Sequence, residues 1–472
     1  MVIKMSESEL RIHPDDNVVV DLSTGMKIAA ADIKRGEKVI KYGYPIGIAT
    51  RDIHKGERVH TENLKSAISG VGKWEYHKSE GLVGGAADEK TTPTFMGYLR
   101  PDGRAGIRNE IWIIPTVGCA NCTAKVLAEK TGAKALTHQF GCSQLGGDLE
   151  MTRKTLCGLA KNPNVGGVLI LGLGCEENTL DSMKAELGES ERIKYLNTQD
   201  VPDEIDEGLK LIGELSEVMK HDEREDLPVS KLAIGVKCGG SDGYSGLTAN
   251  PLVGRAMESF AAGGATVLMT EIPEAFGAED VVLSHCADKK AFDEVSAMLH
   301  DFRGYYIKNG EGISDNPSPG NIAGGITTLE EKSLGCVQKG GKVEVRGGLH
   351  CGECPMRAGE GGLYMVNGPG NDLVAVTNLA AAGAALILFT TGRGTPLCAP
   401  VPTLKLSTNS QLYKKKPHWI DFDAGRLIEG VDSDRLCGEL CKLCVDTASG
   451  KPTVGEARGY YDIAIWKNGV TL

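Results

Sequence analysis

Five short apolar runs constrain this chain more than anything else in it. They are residues 111–116 (IWIIPT), 165–171 (VGGVLIL), 231–236 (KLAIGV), 265–270 (ATVLMT) and 385–390 (ALILFT). They do not alternate polar with apolar, so each asks to be buried on both faces. Most end at Gly, Cys or Thr, and a helical pattern follows. Strands of that kind build a mainly parallel sheet covered by helices, an α/β fold. The chain has 62 glycines and only 5% aromatics. That composition suits many strand-to-helix turns and argues against an all-β or coiled-coil protein. At 472 residues it can bury several cores.

The first ~70 residues differ in texture. Residues 17–22 (NVVVDL) read as a strand. Two phrases then echo each other, ADIKRGEKV (31–39) and RDIHKGERV (51–59). Each predicts a turn at Gly36 or Gly56 followed by a strand. Residues 78–94 (KSEGLVGGAADEKTTPT) are polar, glycine-containing and without apolar period. A charged segment, 203–226, predicts a solvated helix at a boundary between lobes. The expected organisation is a small β-rich module (1–66), a flexible linker (67–94), a first α/β lobe (95–228) and a second α/β lobe (229–472).

The net charge of −11 repels phosphate backbones and anionic lipid, so nucleic acid and membranes are poor partners. An acidic chain can still hold a basic pocket, and an anionic small molecule remains open as a ligand. The longest uncharged apolar stretch, 379–391, is too short to span a bilayer. Residues 1–10 carry no apolar h-region, so a cytoplasmic protein is expected. In that setting the fourteen cysteines are expected to be reduced thiols, some buried and some metal ligands.

In open α/β sheets, ligands bind beyond the carboxyl ends of the strands. The loops there are unusually alike: VGCAN with Cys119, FGCS with Cys142, LGCE with Cys175 and Glu176, and KCGGSD with Cys238. Each sets a thiol beside a glycine, where backbone can approach a ligand. Four thiolates at strand ends could converge on iron. The alternative is that each cysteine simply fills space. Glu271 and Glu274 (TEIPE) also follow a strand. They could bind a divalent cation or serve as acid and base, or they could cap the next helix.

Cys437, Cys441 and Cys444 form C-x3-C-x2-C, a spacing that can hold an iron–sulfur cluster. The same spacing is one face of a helix, and the helical pattern of 434–448 points to core packing. Two polar loops suit a polyhydroxy acid. CGGSDGYSGLTANP carries Ser241, Asp242, Ser245 and Asn250. NPSPGNIAGGITTLEEK carries Ser318, Asn321, Thr327, Thr328 and Glu331. Arg393 in TTGRG could fork a carboxylate. Ordinary turns use the same residue types, and only the density of such loops at strand ends argues for a site. His13 and His60 flank the small module; each is a candidate acid/base, or an uninteresting surface histidine.

These phrases carry a resemblance. GYLRPDGRAGIRN (97–109), CGGSDGYSGLTANP, NPSPGNIAGG and FTTGRG resemble the altronate/galactarate dehydratase family. RIHPDDNVVV, VIKYGYPIG and GERVH resemble the SAF (β-clip) domain fused ahead of it. The resemblance implies a hydro-lyase. It would take the C2 proton from a 2,3-dihydroxy sugar acid, altronate first, and release the C3 hydroxyl to leave a 2-keto-3-deoxy acid. It also implies Fe(II), with Mn(II) as the alternative; an iron–sulfur cluster, which the cysteines alone suggest, stands behind both.

His60, Lys41 and His13 become the expected catalytic residues, with the module closing as a lid. Arg108 and Asn109 of the first phrase join the expected substrate contacts. Galactarate dehydratase, (2R)-sulfolactate sulfo-lyase and a sugar-acid-binding regulator are the competing readings; a homo-oligomer remains open. The chain departs from the family at 365–373 (MVNGPGNDL), where the family carries M-D-T-P-G-Y-D. The substrate's far end would be read differently there.

Overall fold

The computed structural model describes residues 3–4, 8–85, 92–313, 316–355 and 361–469. Its N-terminal module is two small antiparallel sheets of five and three strands. The echoed phrases form its centre. Ile33 and Ile53 exchange both backbone hydrogen bonds, at 2.9 and 2.8 Å, and both side chains are buried. Gly36 and Gly56 take left-handed turns (φ +88° and +83°) into the strands Lys38–Lys41 and Arg58–Val59.

Two parallel sheets follow. The middle sheet contains β1 (Glu110–Pro115), β2 (Lys134–Ala135), β3 (Val165–Gly172) and β4 (Ile193–Asn197), in the order β2-β1-β3-β4. The large sheet contains β5 (Ala233–Cys238), β6 (Thr266–Met269), β7 (Val345–Leu349), β8 (Gly362–Val366), β9 (Leu386–Thr391), β10 (Thr403–Ser407) and β11 (Phe422–Asp423). Its order is β7-β8-β6-β5-β9-β10-β11, with every pair parallel. All five apolar runs of the sequence are strands, and β9 is buried at every residue. The order reverses direction at β5, which makes the loops after β5, β6 and β9 a topological switch point.

Among the helices used below, α1 is Asn121–Thr131, α2 Gly147–Ala160, α3 Glu204–Met219, α4 Ala249–Ala262, α5 Lys289–Lys308, α6 Leu329–Cys336, α7 Asp372–Ala381 and α8 Ser433–Ala448. The charged segment does form α3, capped by Asp203. One face of it buries Gly208, Ile212 and Leu215, so it is amphipathic and not wholly solvated. The C-x3-C-x2-C lies on α8 with Cys437 and Cys444 buried in the core.

The described part of the stretch read as a linker packs against the large region. Trp74 lies against His300, Tyr76 against Phe292, and the Val83 amide donates to the Lys342 carbonyl at 2.8 Å. Polarity and glycine content carried no signal of these contacts. Residues 86–91 of that stretch lie outside the described residues, as do residues 1–2 and 5–7 of the N-terminal segment read for a leader. No helix among the described residues is long and apolar enough to cross a membrane.

Candidate functional site

The site is organised along α6, whose eight residues are all buried. Its sequence, LEEKSLGC, is too polar for a core helix. Polar side chains buried in that number must find partners. Thr328 caps the helix, its hydroxyl accepting from the Glu331 amide and donating to the Ile46 carbonyl of the N-terminal module. The helix therefore meets the module on one side and the large sheet on the other.

On the module side, Glu331 is forked by two buried lysines. Lys27 Nζ lies 2.7 Å from one carboxylate oxygen and Lys41 Nζ 2.8 Å from the other. Burial resists the charge on Glu331, but Lys27 and Lys41 hold its pKa down at about 2. Burial and the neighbouring Lys41 bring Lys27 down to about 8 despite Glu331. Lys41 moves the other way, raised by Glu331 against the cost of burial, and is a firm ammonium. His60 is buried, with Nδ1 2.9 Å from the Thr327 hydroxyl; the direction of that bond follows the imidazole tautomer. Burial and Lys27 lower its pKa, so the ring is neutral at physiological pH. A small cavity of about 10 Å³, the room of a single water, lies beside this seam. Lys41, Tyr42, Ser241, Asp242, Ser245, Asn250, Ile326, Glu331 and Lys332 contribute to its wall.

On the sheet side, Lys332 reaches from the cavity wall to Glu274 Oε1 at 2.7 Å. There Cys238 ends β5, Glu271 and Glu274 follow β6, and Cys336 ends α6. One ligand atom from each lies within 4.8 Å of the others, and all four residues are buried. The two sulfurs are 3.2 Å apart, and the Cys336 thiol donates to Glu274 Oε2 at 3.2 Å. Lys339 Nζ sits 2.7 Å from Cys336 Sγ, 3.3 Å from Cys238 Sγ and 2.9 Å from Glu271 Oε2. Lys237 bridges Glu271 and Asp372.

The shared proton with Cys336 and the nearby Lys339 lower Cys238 to about 6, while Cys336 is pushed up. Burial, with Cys238 and Glu274 nearby, raises Glu271 to about 8. Glu271 also holds a left-handed backbone (φ +73°), a conformation that costs energy for a non-glycine residue.

This donor set fits a divalent cation of borderline softness. Cys238 Sγ, Cys336 Sγ and Glu274 Oε2 already converge through hydrogen-bonding protons that a cation would displace. Glu271 is the most occupied of the four, with both oxygens taken by lysines and the Cys238 amide.

The other residues singled out from the sequence fall into three groups. Ser241, Asp242, Ser245, Asn250 and Thr327 gather at the cavity or the seam beside it, but several are already engaged. Asp242 accepts from Thr408, Ser245 and Asn409, and Asn250 bridges Gly335 and Thr390. Ser318 and Asn321 form a reciprocal capping box, and Asn321 also donates to the Ser241 carbonyl at 2.9 Å. These two shape the loop. Arg393 is exposed, its guanidinium 3.5 Å from the Gly320 carbonyl.

Arg108 and Asn109 stand apart. Arg108 makes a two-pronged ion pair with Glu456, and the Asn109 side chain accepts from Arg100. His13 is exposed on the module surface and packs against Gly43. Cys119, Cys142 and Cys175 are exposed at the middle sheet and are not part of the buried set. Glu176 is buried beside them, bonded to the Thr116 hydroxyl at 2.6 Å and to the amides of Leu173 and Gly174.

Sequence reasoning missed Cys336, Lys27, Tyr42 and the lysines at 237, 332 and 339; Glu331 was read only as part of a polar loop. One signal was present. Lys332, Cys336 and Lys339 are spaced i, i+4, i+7, one face of a helix, in a segment otherwise read only as a polar loop end.

Comparison with known proteins covers nearly the whole chain. Residues 229–471 match the model of the D-galactarate/altronate dehydratase C-terminal domain. Residues 97–220 match the D-galactarate dehydratase/altronate hydrolase second domain, and 21–67 the altronate/galactarate dehydratase SAF domain. The altronate dehydratase of Bacillus subtilis (strain 168) is 43% identical over 99% of this chain and 100% of its own length. That of Escherichia coli (strain K12) is 44% identical over 96% of this chain and 93% of its own. The (2R)-sulfolactate sulfo-lyase subunit beta of Chromohalobacter salexigens is 32% identical over 79% of this chain and 97% of its own.

Proposed function

This chain belongs to the D-galactarate/altronate dehydratase family, and from that premise we propose that it dehydrates altronate at the seam where its N-terminal module meets α6. It is a hydro-lyase of sugar acids. The reaction removes the C2 proton and expels the C3 hydroxyl as water. The enol that remains tautomerises to the 2-keto-3-deoxy acid.

The observation that carries the site is the seam itself, where buried polar groups of the module and of the large region line one small cavity. One wall is the module's Lys41 and Tyr42, the other the hydroxyl-rich loop after β5, and the floor Glu331 and Lys332. A sugar acid presents a carboxylate and several hydroxyls. The ammonium groups of Lys41 and Lys332 suit the carboxylate, and Ser241, Ser245 and Asn250 suit the hydroxyls. His60 is the base this arrangement favours, because it is neutral and Thr327 orients it one residue from the cavity wall. The Tyr42 hydroxyl, kept protonated as burial raises its pKa, is placed to donate to the departing hydroxyl. The module encloses the cavity and excludes water from it.

A divalent cation held by Cys238, Cys336 and Glu274, with Glu271 beside them, would supply a Lewis acid for the charge that develops on the substrate. Two thiols favour Fe(II) over the harder Mn(II). Metal content of freshly purified protein, measured against a Cys238→Ser/Cys336→Ser variant, tests that set without reference to turnover.

The function is tested by offering altronate, galactarate, mannonate and sulfolactate to anaerobically prepared protein and assaying 2-keto acid. Keto acid from altronate is expected. Sulfite from sulfolactate, with no keto acid from any sugar acid, would overturn the reading in favour of carbon–sulfur lysis.

A further inference from the structure

Cysteine is among the residue types most often buried, and ten of this chain's fourteen are buried or half-buried. The four exposed ones are Cys119, Cys122, Cys142 and Cys175. All four lie on one edge of the molecule, just past the carboxyl ends of β1, β2 and β3. These strands are neighbours in the middle sheet, and all are parallel. Pro115 and Leu171 are register partners, and Cys119 and Cys175 each follow four residues later. Cys142 leaves the far side of β1, in the loop after β2.

The three loops are tied to one another. The Gly118 amide donates to the Phe140 carbonyl, and the Asn178 amide to the Gly141 carbonyl, both at 2.9 Å. Cys119, Cys142 and Cys175 each follow a glycine in a tight place. A Cβ on Gly141 (φ +100°) would stand 2.1 Å from the Thr116 carbonyl oxygen, and one on Gly118 3.0 Å from that of His138. Gly174 (φ +121°) needs a backbone that other residues rarely adopt. Ser143, next to Cys142, is one of three non-glycine residues with left-handed backbone among those described. The other two, Tyr42 and Glu271, border the cavity and the buried acidic set.

Adjacent strands lie about 4.8 Å apart, so thiols carried past the ends of neighbouring strands start at least that far apart. That is too wide for a single ion, whose sulfur bonds are about 2.3 Å. The compact set suited to one ion is the buried one at β5 and β6. A footprint of three spaced thiolates suits a multi-iron cluster.

We propose that Cys119, Cys142 and Cys175 ligate an iron–sulfur cluster of the four-iron type, whose fourth iron has no protein thiolate. Cys122 is the second residue of α1, lacks the preceding glycine and is outside the set. The buried donor set is separate from this one.

The test uses the full chain, purified anaerobically and reconstituted with ferrous iron and sulfide. A brown chromophore absorbing near ~400 nm is expected, with about four sulfides per chain and, in the Cys238→Ser variant, about four irons. Cys119→Ser, Cys142→Ser and Cys175→Ser should each lose it, while Cys122→Ser and Cys238→Ser keep it. Matching thermal unfolding of the apo-proteins controls for folding. A colourless wild type, or edge variants that stay brown, would overturn the proposal. Loss in Cys122→Ser would overturn the open fourth iron. None of these readouts depends on turnover, so they stand or fall apart from the dehydratase reading.

Discussion

Glu331 is the residue on which the seam balances. It is the shared counter-charge of two lysines that are themselves fully buried. Glu331→Gln leaves those ammonium groups without compensation, and breaking a buried ion pair from one side costs about 3–5 kcal/mol. Urea unfolding should show a loss of that size, larger than for Lys41→Met, which leaves Lys27 on the carboxylate. The pH dependence follows from the same residues. His60 has a folded pKa below its ordinary 6.5, so the neutral ring's contribution is present above that value and is lost as pH falls through the folded pKa. Glu331 is lowered from 4.5 to about 2, and its contribution is lost between those values. Stability should therefore fall in two steps on acidification. His60→Gln should remove the upper step and leave the lower, which unfolding curves at successive pH values can read. If His60 is also the base, the same variant removes the acid limb of the kcat/KM profile.

At the scale of elements, α6 shows why a helix can be missed. Its polar sequence gives no apolar stripe, yet every residue is buried because each polar face meets a different partner. Its cap is shared with the module through the Thr328–Ile46 bond. Thr328→Ala should cost about 1 kcal/mol as a lost cap, and more if the module's Ile46 carbonyl is left buried without a donor. The comparison with Thr328→Ser, which restores both bonds, separates the cap from packing. The glycines place other elements. A Cβ on Gly243 would stand 2.1 Å from the Gly25 carbonyl, where the loop after β5 meets the module. Gly243→Ala should lower the melting temperature and weaken turnover together, since the same contact positions Asp242 and Ser245.

For the whole molecule, module and large region together line the cavity at the seam. Lys27, Lys41, His60 and Tyr42 come from the first, and α6 and the loop after β5 from the second. A chain lacking residues 1–66 should lose keto-acid production altogether while its apolar core survives, because Glu331 and Lys332 would then be solvated and the cavity lost. Full turnover by the truncated chain would refute the lid role. The loop at 365–373, where the sequence leaves the family phrase, runs past the buried set. Asp372 pairs with Lys237, and a Cβ on Gly370 would lie 3.5 Å from Glu274 Oε1. Its first influence is therefore on the lysine and carboxylate charges.

The sequence by itself determined the parallel sheets, the β-rich module with its echoed turns, and the family, since these rest on local pattern and on long contiguous phrases. Burial of both faces is written into a run such as ALILFT, and a turn into Gly36 or Gly56. The tertiary structure alone decided which chemistry-bearing residues meet. Cys238 and Cys336 are 98 residues apart, Lys41 and Glu331 290, and no local period records such pairs. Arg108 matched a family phrase, and the fold turned it into a strut to Glu456. Nothing local in the sequence marks Lys27, and only its burial against Glu331 gives it a role. A residue's type states what it can do; the dielectric and neighbours that settle what it does arrive only with the packed chain.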